Sequence, residues 1–94
     1  MKPAVYILTN SNNTVLYTGV TSDLEHRLTQ HVNTTIGTFS SRYNTDKLIY
    51  VENHPTMISA ITQEKQIKSW SRQRKVALIE SINPRWIDLR EEKI

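Results

Sequence analysis

The chain of 94 residues has no cysteine, two glycines, three prolines and one phenylalanine. Without cysteine, disulfides and thiolate metal sites are excluded, and a reducing compartment is expected. No apolar run approaches the roughly 20 residues that span a bilayer, so no membrane partner is expected. The opening Met1-Lys2-Pro3-Ala4 lacks the apolar stretch and cleavage site of a secretory leader, and the expectation is a cytoplasmic protein. Internal repeats and low-complexity tracts are also missing. The length suits one domain, 1–94, with an ordered core from about residue 4 to about residue 89.

Charge is modest in total and uneven in placement. The net charge is +3, yet residues 65–75 hold Lys65, Lys68, Arg72, Arg74 and Lys75 with no acid among them. The rest of the chain carries seven basic and nine acidic residues, so the positive potential is local. A local basic patch is what a polyanion would need, although a solvated helix face reads the same way.

Two tyrosines stand out in the first twenty residues. Ala4-Val5-Tyr6-Ile7-Leu8-Thr9 is apolar and partly β-branched without helical period, which predicts a buried strand. Thr14 to Val20 predicts a second strand, and Asn10-Ser11-Asn12-Asn13 between them favours a turn. Pairing Thr9 with Thr14 would set Tyr6 directly opposite Tyr17, with both phenols on one face. Gly19 lies two positions further along that face and would leave bare backbone where something bulky comes close. Packing alone also accounts for a cross-strand aromatic pair.

Beyond the hairpin, Ser22 and Glu25 form a capping-box pattern, and Leu24, Leu28 and Val32 predict a helix over about 23–32. Arg27 and His31 line a neighbouring strip of it. Residues 33–46 lack a period and predict a long surface loop. Residues 47–52 predict a third strand. A second helix is expected over about 57–70, with Met57, Ala60, Ile61 and Ile67 on one face. Ser71 opens a third helix, with Val76, Ile79 and Ile82 inward, and Asn83-Pro84 stops it. Trp86 to Leu89 is expected to lay apolar groups back on the core. The fold class is therefore α/β (α+β): a small sandwich with a three-stranded, mostly antiparallel sheet and about three helices.

Glu64 falls on the apolar stripe of the second helix. A carboxylate facing a core costs several kcal/mol unless a cation compensates it. Arg27 is one candidate cation. A divalent metal is the other, because a hard carboxylate oxygen suits Mg²⁺ or Mn²⁺, and Mg²⁺ often takes one or two carboxylates plus water and phosphate. Arg72, Arg74 and Lys75 crowd the first turn of the third helix, where the helix dipole disfavours cations. A phosphate bound at that turn would relieve the conflict.

Taken together, Ala4-Val5-Tyr6, Tyr17-Thr18-Gly19, Asp23-Leu24 with Arg27 and His31, and Glu64 on a later helix resemble the GIY-YIG nuclease domain. The resemblance runs from Ala4 to about Leu89, in particular to small stand-alone bacterial members and to the nuclease module of structure-specific repair endonucleases. It implies the sandwich fold and a metal-dependent DNA phosphodiesterase. Tyr6 would be the general base or would orient the attacking water, with Tyr17 supporting it or touching phosphate. Arg27 would stabilise charge at phosphorus, His31 would assist proton transfer, and Glu64 would hold one Mg²⁺ or Mn²⁺ on the leaving-group side. Three departures are visible. Ala4-Val5 replaces Gly-Ile, Val20 stands where several relatives carry lysine, and the asparagine found late in many members has only Asn83 as a counterpart.

The chemistry is coherent with those roles. Phosphodiester hydrolysis needs a nucleophile, charge neutralisation and help for the leaving oxyanion. An unperturbed tyrosine titrates near 10 and histidine near 6.5, so Tyr6 and His31 remain rival bases. Gly19, Lys65, Lys68, Arg72, Arg74 and Lys75 are the expected DNA contacts, phosphate contacts giving affinity rather than sequence choice. With no DNA-binding domain attached, specificity is expected from a protein partner. Two rival readings stay open: a non-catalytic nucleic-acid-binding module, and an interaction domain using the sheet edge.

Overall fold

In a computed structural model, the protein is described over residues 2–24, residue 26 and residues 47–90. Three strands and two helices follow in the order β1 (Ala4–Thr9), β2 (Leu16–Thr21), β3 (Lys47–Asn53), α1 (Met57–Lys68) and α2 (Arg72–Ile82). The sheet order is β2-β1-β3, and both pairings are antiparallel. The class is therefore the one the sequence predicts. Most of the expected helix over 23–32, including Arg27 and His31, lies outside the described residues, as does the expected loop over 33–46. Only Leu24 and His26 show that a helix starts there. Its cap is Asp23 rather than Ser22: the Asp23 carboxylate accepts the His26 N–H at 3.3 Å, while the Thr21 hydroxyl accepts the Asp23 N–H at 3.1 Å.

β1 is central and every one of its residues is buried, which explains its unbroken apolar run. Its alternate residues serve two separate layers. Val5 and Ile7 pack with Ile49, Tyr50, Ala60, Ile67 and Ile79, so α1 and α2 cover that face. Tyr6 and Leu8 pack with Leu48 on the other face, against Tyr17, Leu24, Val51 and Leu89. A bulge at Ile49 re-phases β3, so that Leu8 faces Leu48 while Ile7 faces Tyr50.

The hairpin register differs from the expected one. Thr9 pairs with Leu16, not Thr14, so Tyr6 faces Gly19 and Tyr17 faces Leu8. The cause is side-chain competition for the ladder. Asn10 Oδ1 accepts the N–H groups of Thr14 and Val15 at 2.8 and 3.1 Å, and the Thr9 hydroxyl donates to the Val15 carbonyl at 2.6 Å. Asn13 takes a left-handed φ of 58° and donates its N–H to the Asn10 carbonyl. These bonds close a longer loop than a four-residue turn. A displacement of two residues preserves side-chain parity, so both phenols still share a face.

α1 starts at its Thr56 cap, whose hydroxyl accepts the Ser59 N–H at 3.1 Å, and ends at Lys68, slightly before the expected Trp70. α2 starts at its Ser71 cap, which accepts the Arg74 N–H at 3.2 Å. Ile79 is buried and Leu78 packs on the core, but Ile82 is 56% exposed, contrary to the expected inward face. The position one turn beyond Ile79 is instead taken by buried Asn83, whose role is to fix the tail. Its amide donates to the carbonyls of Ile49 and Ile87 at 3.0 and 2.9 Å, and its carbonyl accepts the Ile87 N–H at 3.0 Å. Three such bonds contribute about 1 kcal/mol each. They also turn the Ile87 side chain outward, so of the tail's apolar groups only Trp86 and Leu89 reach the core. Trp86 is held at φ 56°, unusual for a bulky residue, with its indole N–H on Glu80 at 2.8 Å.

The tail then lies along β3. Leu89 N–H donates to the Leu48 carbonyl at 2.7 Å, and the Leu48 N–H donates to the Asp88 carboxylate at 3.2 Å. Burial alone would raise the Asp88 pKa. Hydrogen bonds from the Arg90 side chain and backbone and from Leu48, with the Arg90 charge, outweigh burial and hold it below the ordinary value. A depressed carboxylate pKa gives stability that is present above the unfolded value and lost as pH falls through the folded one. Asp88→Asn is therefore expected to lower neutral-pH stability by about 1–2 kcal/mol. Urea titrations should show the gap to wild type closing as pH drops below about 4. A gap independent of pH would remove the Asp88 charge from the tail clamp.

Candidate active site

Tyr6 is fully buried, and its ring lies across the backbone of Gly19. A Cβ built on Gly19 would stand 2.5 Å from both Cζ and the phenolic oxygen of Tyr6. The bulky group that comes close to this glycine is therefore Tyr6 itself. Tyr17 stands beside it diagonally, with ring centroids 6.4 Å apart and planes tilted by 51°. Since β2 is an edge strand, the ring crossing Gly19 points the phenol toward the border of the sheet.

Glu64 is buried, as its place on the α1 stripe beside Ala60 and Ile67 predicts. Arg27, one cation anticipated above, lies outside the described residues; among those, the partner of Glu64 is a different cation. Lys68, one helical turn on, places Nζ 2.6 Å from Glu64 Oε2. The Glu-x-x-x-Lys spacing was available in the sequence as a favourable helical pair. Ala60 and Ile67 touch the Val5 face, so Glu64 and the two phenols come from opposite faces of the sheet. α1 lies over β2 and β1, the strands that carry the two phenols.

A single divalent ion is chemically compatible with this carboxylate. Among the described residues, no set of three or more His, Asp or Glu side chains converges into a cage. One hard carboxylate, buried and facing a mobile ammonium, matches the Mg²⁺ habit of few protein ligands with water and phosphate completing the shell. Glu64 would hold the ion.

The basic segment divides on inspection. Lys68 is engaged by Glu64, and Arg72 clamps the hairpin loop by donating to the carbonyls of Asn13 and Thr14 at 2.9 and 3.1 Å. Arg74 stacks over Trp70, 4.1 Å from the ring centroid. Lys65 is exposed and Lys75 half-buried, and neither meets a carboxylate among the described residues. The first turn of α2 holds no acid, so the dipole conflict read from the sequence is present in the fold. Within the basic segment, Lys65, Arg74 and Lys75 are the cations that neither pair with a carboxylate nor clamp the hairpin loop among the described residues.

A second polar cluster was not singled out from sequence, although its period-2 spacing on β3 was a signal. Tyr50 donates to Glu52 at 2.6 Å, Glu52 meets His54 Nε2 at 2.7 Å, and His54 Nδ1 lies 3.0 Å from the Ser59 hydroxyl. Burial first, then the hydrogen bond and charge of Glu52, push the Tyr50 phenol pKa upward. The cluster ties β3 to the first turn of α1 and is structural.

A three-stranded sheet of order β2-β1-β3, the Tyr6 ring crossing a glycine and a buried helical glutamate accompany a nuclease-class domain, and the chain belongs to the GIY-YIG family: residues 2–77 match the GIY-YIG catalytic domain. Among its relatives are UPF0213 proteins. One from Syntrophus aciditrophicus is 37% identical over 87 residues, covering 88% of this chain and 94% of the relative. Another from Haloquadratum walsbyi is 38% identical over 77 residues, covering 81% and 84%. The solution NMR structure of a UPF0213 protein from Bacillus halodurans shares the fold, with a TM-score of 0.61 at 24% identity, covering 95% of this chain and 94% of that one.

Gly19→Ala tests the packing at the centre of the site. The rigid, fully buried Tyr6 ring cannot yield without moving its neighbours, so a loss of about 1–3 kcal/mol is expected in chemical denaturation. The same substitution made in a Tyr6→Ala background is expected to cost much less, because the obstructing ring is gone. Equal cost in both backgrounds would show that Tyr6 does not occupy the Gly19 space.

Proposed function

We propose that the protein is a DNA endonuclease that hydrolyses phosphodiester bonds with one Mg²⁺ or Mn²⁺, in DNA repair or processing. The observation that carries this reading is Glu64, a carboxylate buried in an apolar stripe and balanced, among the described residues, by a half-exposed lysine. A purely structural acid gains little in that position compared with an apolar residue. Family membership supports the nuclease class.

The chain's own groups suit the reaction in three ways. Tyr6, buried over Gly19 and beside Tyr17, is the phenol that would orient the attacking water or accept its proton once substrate reaches the border of β2. Arg27 neutralises charge gathering on the non-bridging oxygens, and His31 is the alternative proton acceptor. Neither lies among the described residues, and their roles follow from the family pattern. Glu64 would hold the ion, and when bound the ion would supply charge stabilisation for the departing oxygen. Lys65, Arg74 and Lys75 track phosphates, with the Trp70 face keeping Arg74 extended. A partner protein would add specificity that phosphate contacts lack.

Purified protein with Mn²⁺ is expected to nick branched, flapped or single-stranded DNA. Glu64→Gln is expected to reduce that rate on the order of 100-fold or more while circular dichroism stays unchanged. Cleavage by the variant at the wild-type rate would eliminate Glu64 as an essential ligand. DNA binding without cutting of any substrate would favour the non-catalytic module.

The phosphate track is tested separately. Changing Arg74 and Lys75 together to glutamine is expected to weaken DNA binding and to flatten the plot of log affinity against log salt by about 1–2. An unaltered slope would remove both residues from the interface.

A further inference from the structure

We propose that Lys68 is a built-in competitor for the metal ion: a tethered cation that holds the Glu64 carboxylate when no divalent ion is bound and yields its place when one arrives. This rests on the reading of Glu64 as the metal ligand. Three observations lead to it.

The first is distance: Lys68 Nζ lies 2.6 Å from Glu64 Oε2, a charge-assisted contact. The second is asymmetry of burial. The Glu64 side chain is 11% exposed and the Lys68 side chain 54%, so the lysine can move into water at small cost while the carboxylate cannot. The third is position. Lys68 is the last residue of α1 and pairs with Glu64 across one turn, on a stem with four rotatable carbons that can swing outward without disturbing the backbone.

A buried carboxylate requires some cation throughout. In the metal-free protein the ammonium meets that need and keeps Glu64 oriented. An incoming ion must displace it, so Lys68 weakens metal affinity while preserving the geometry of the ligand. Lys68 is a positioning residue, and its effect appears in metal binding before any chemistry occurs.

The test is Mn²⁺ binding by isothermal titration to the full chain, with no DNA present. Lys68→Gln is expected to bind Mn²⁺ about three- to tenfold more tightly than wild type. Lys65→Gln removes the same charge from an exposed neighbouring position without touching Glu64, and is expected to match wild type to about twofold. Glu64→Gln is expected to lose binding. Lys68→Gln takes away the Glu64 partner and is expected to lower the melting temperature of the metal-free protein, so thermal unfolding checks that the variant is folded at the titration temperature. Equal Mn²⁺ affinity in wild type and Lys68→Gln would overturn the competitor role and leave Glu64 standing as the ligand. So would equal tightening by Lys65→Gln, which would reveal only a diffuse charge effect. If none of these folded chains bound Mn²⁺, or if Glu64→Gln bound it undiminished, the metal reading and the competitor role would both fall.

Discussion

Two-sided burial of β1 is the constraint from which the rest of this structure follows. All six of its residues are enclosed, so both faces of the central strand need a cover. One face receives α1 and α2, and the other receives the aromatic and leucine layer that includes Tyr17, Leu24 and Leu89. Strand alternation then decides where chemistry can be placed. Tyr6 must belong to the second layer because Val5 and Ile7 supply the first. Its ring extends across a residue without a side chain, Gly19, where a Cβ would collide with it.

On the proposed reading this separation makes the site a rim rather than a pocket in one face. Tyr6 approaches β2 at Gly19 from one side, while α1, which carries Glu64, lies over β2 and β1 on the other. A nucleic-acid backbone, being long and externally charged, is approached more readily at a rim than in a closed cavity. The cations nearby are not interchangeable. Arg72 is anchored on the hairpin loop through two carbonyls and Lys68 pairs with Glu64 until that partner is exchanged, so their positions are set by the fold while Lys65 and Lys75 meet no carboxylate among the described residues.

Much of the architecture was legible because hydrophobic pattern and caps carry it. The apolar run at residues 4–9, the stripe through Ala60 and Ile67 and the caps Thr56 and Ser71 each specify an element locally. Burial of Glu64 was legible for the same reason. The hairpin register was not, because the Asn10 side chain takes two backbone donors that a tight turn would have left to the ladder. Nor was the outward turn of Ile82, which depends on Asn83 occupying the buried position one turn past Ile79. The opposite placement of Glu64 and the phenols was also hidden. It depends on which face α1 covers, a choice made by tertiary packing and not written in any local spacing.

The tail clamp has a bearing on how the molecule behaves among its own kind. A strand at the border of a sheet ordinarily offers unpaired amide and carbonyl groups on which a foreign chain can template. Along β3 those groups at Leu48 and Ile49 are already spoken for by Asn83, Asp88 and Leu89. The last residues of the described chain thus act as a selvage, binding off the Leu48–Ile49 stretch of the woven sheet against intermolecular growth.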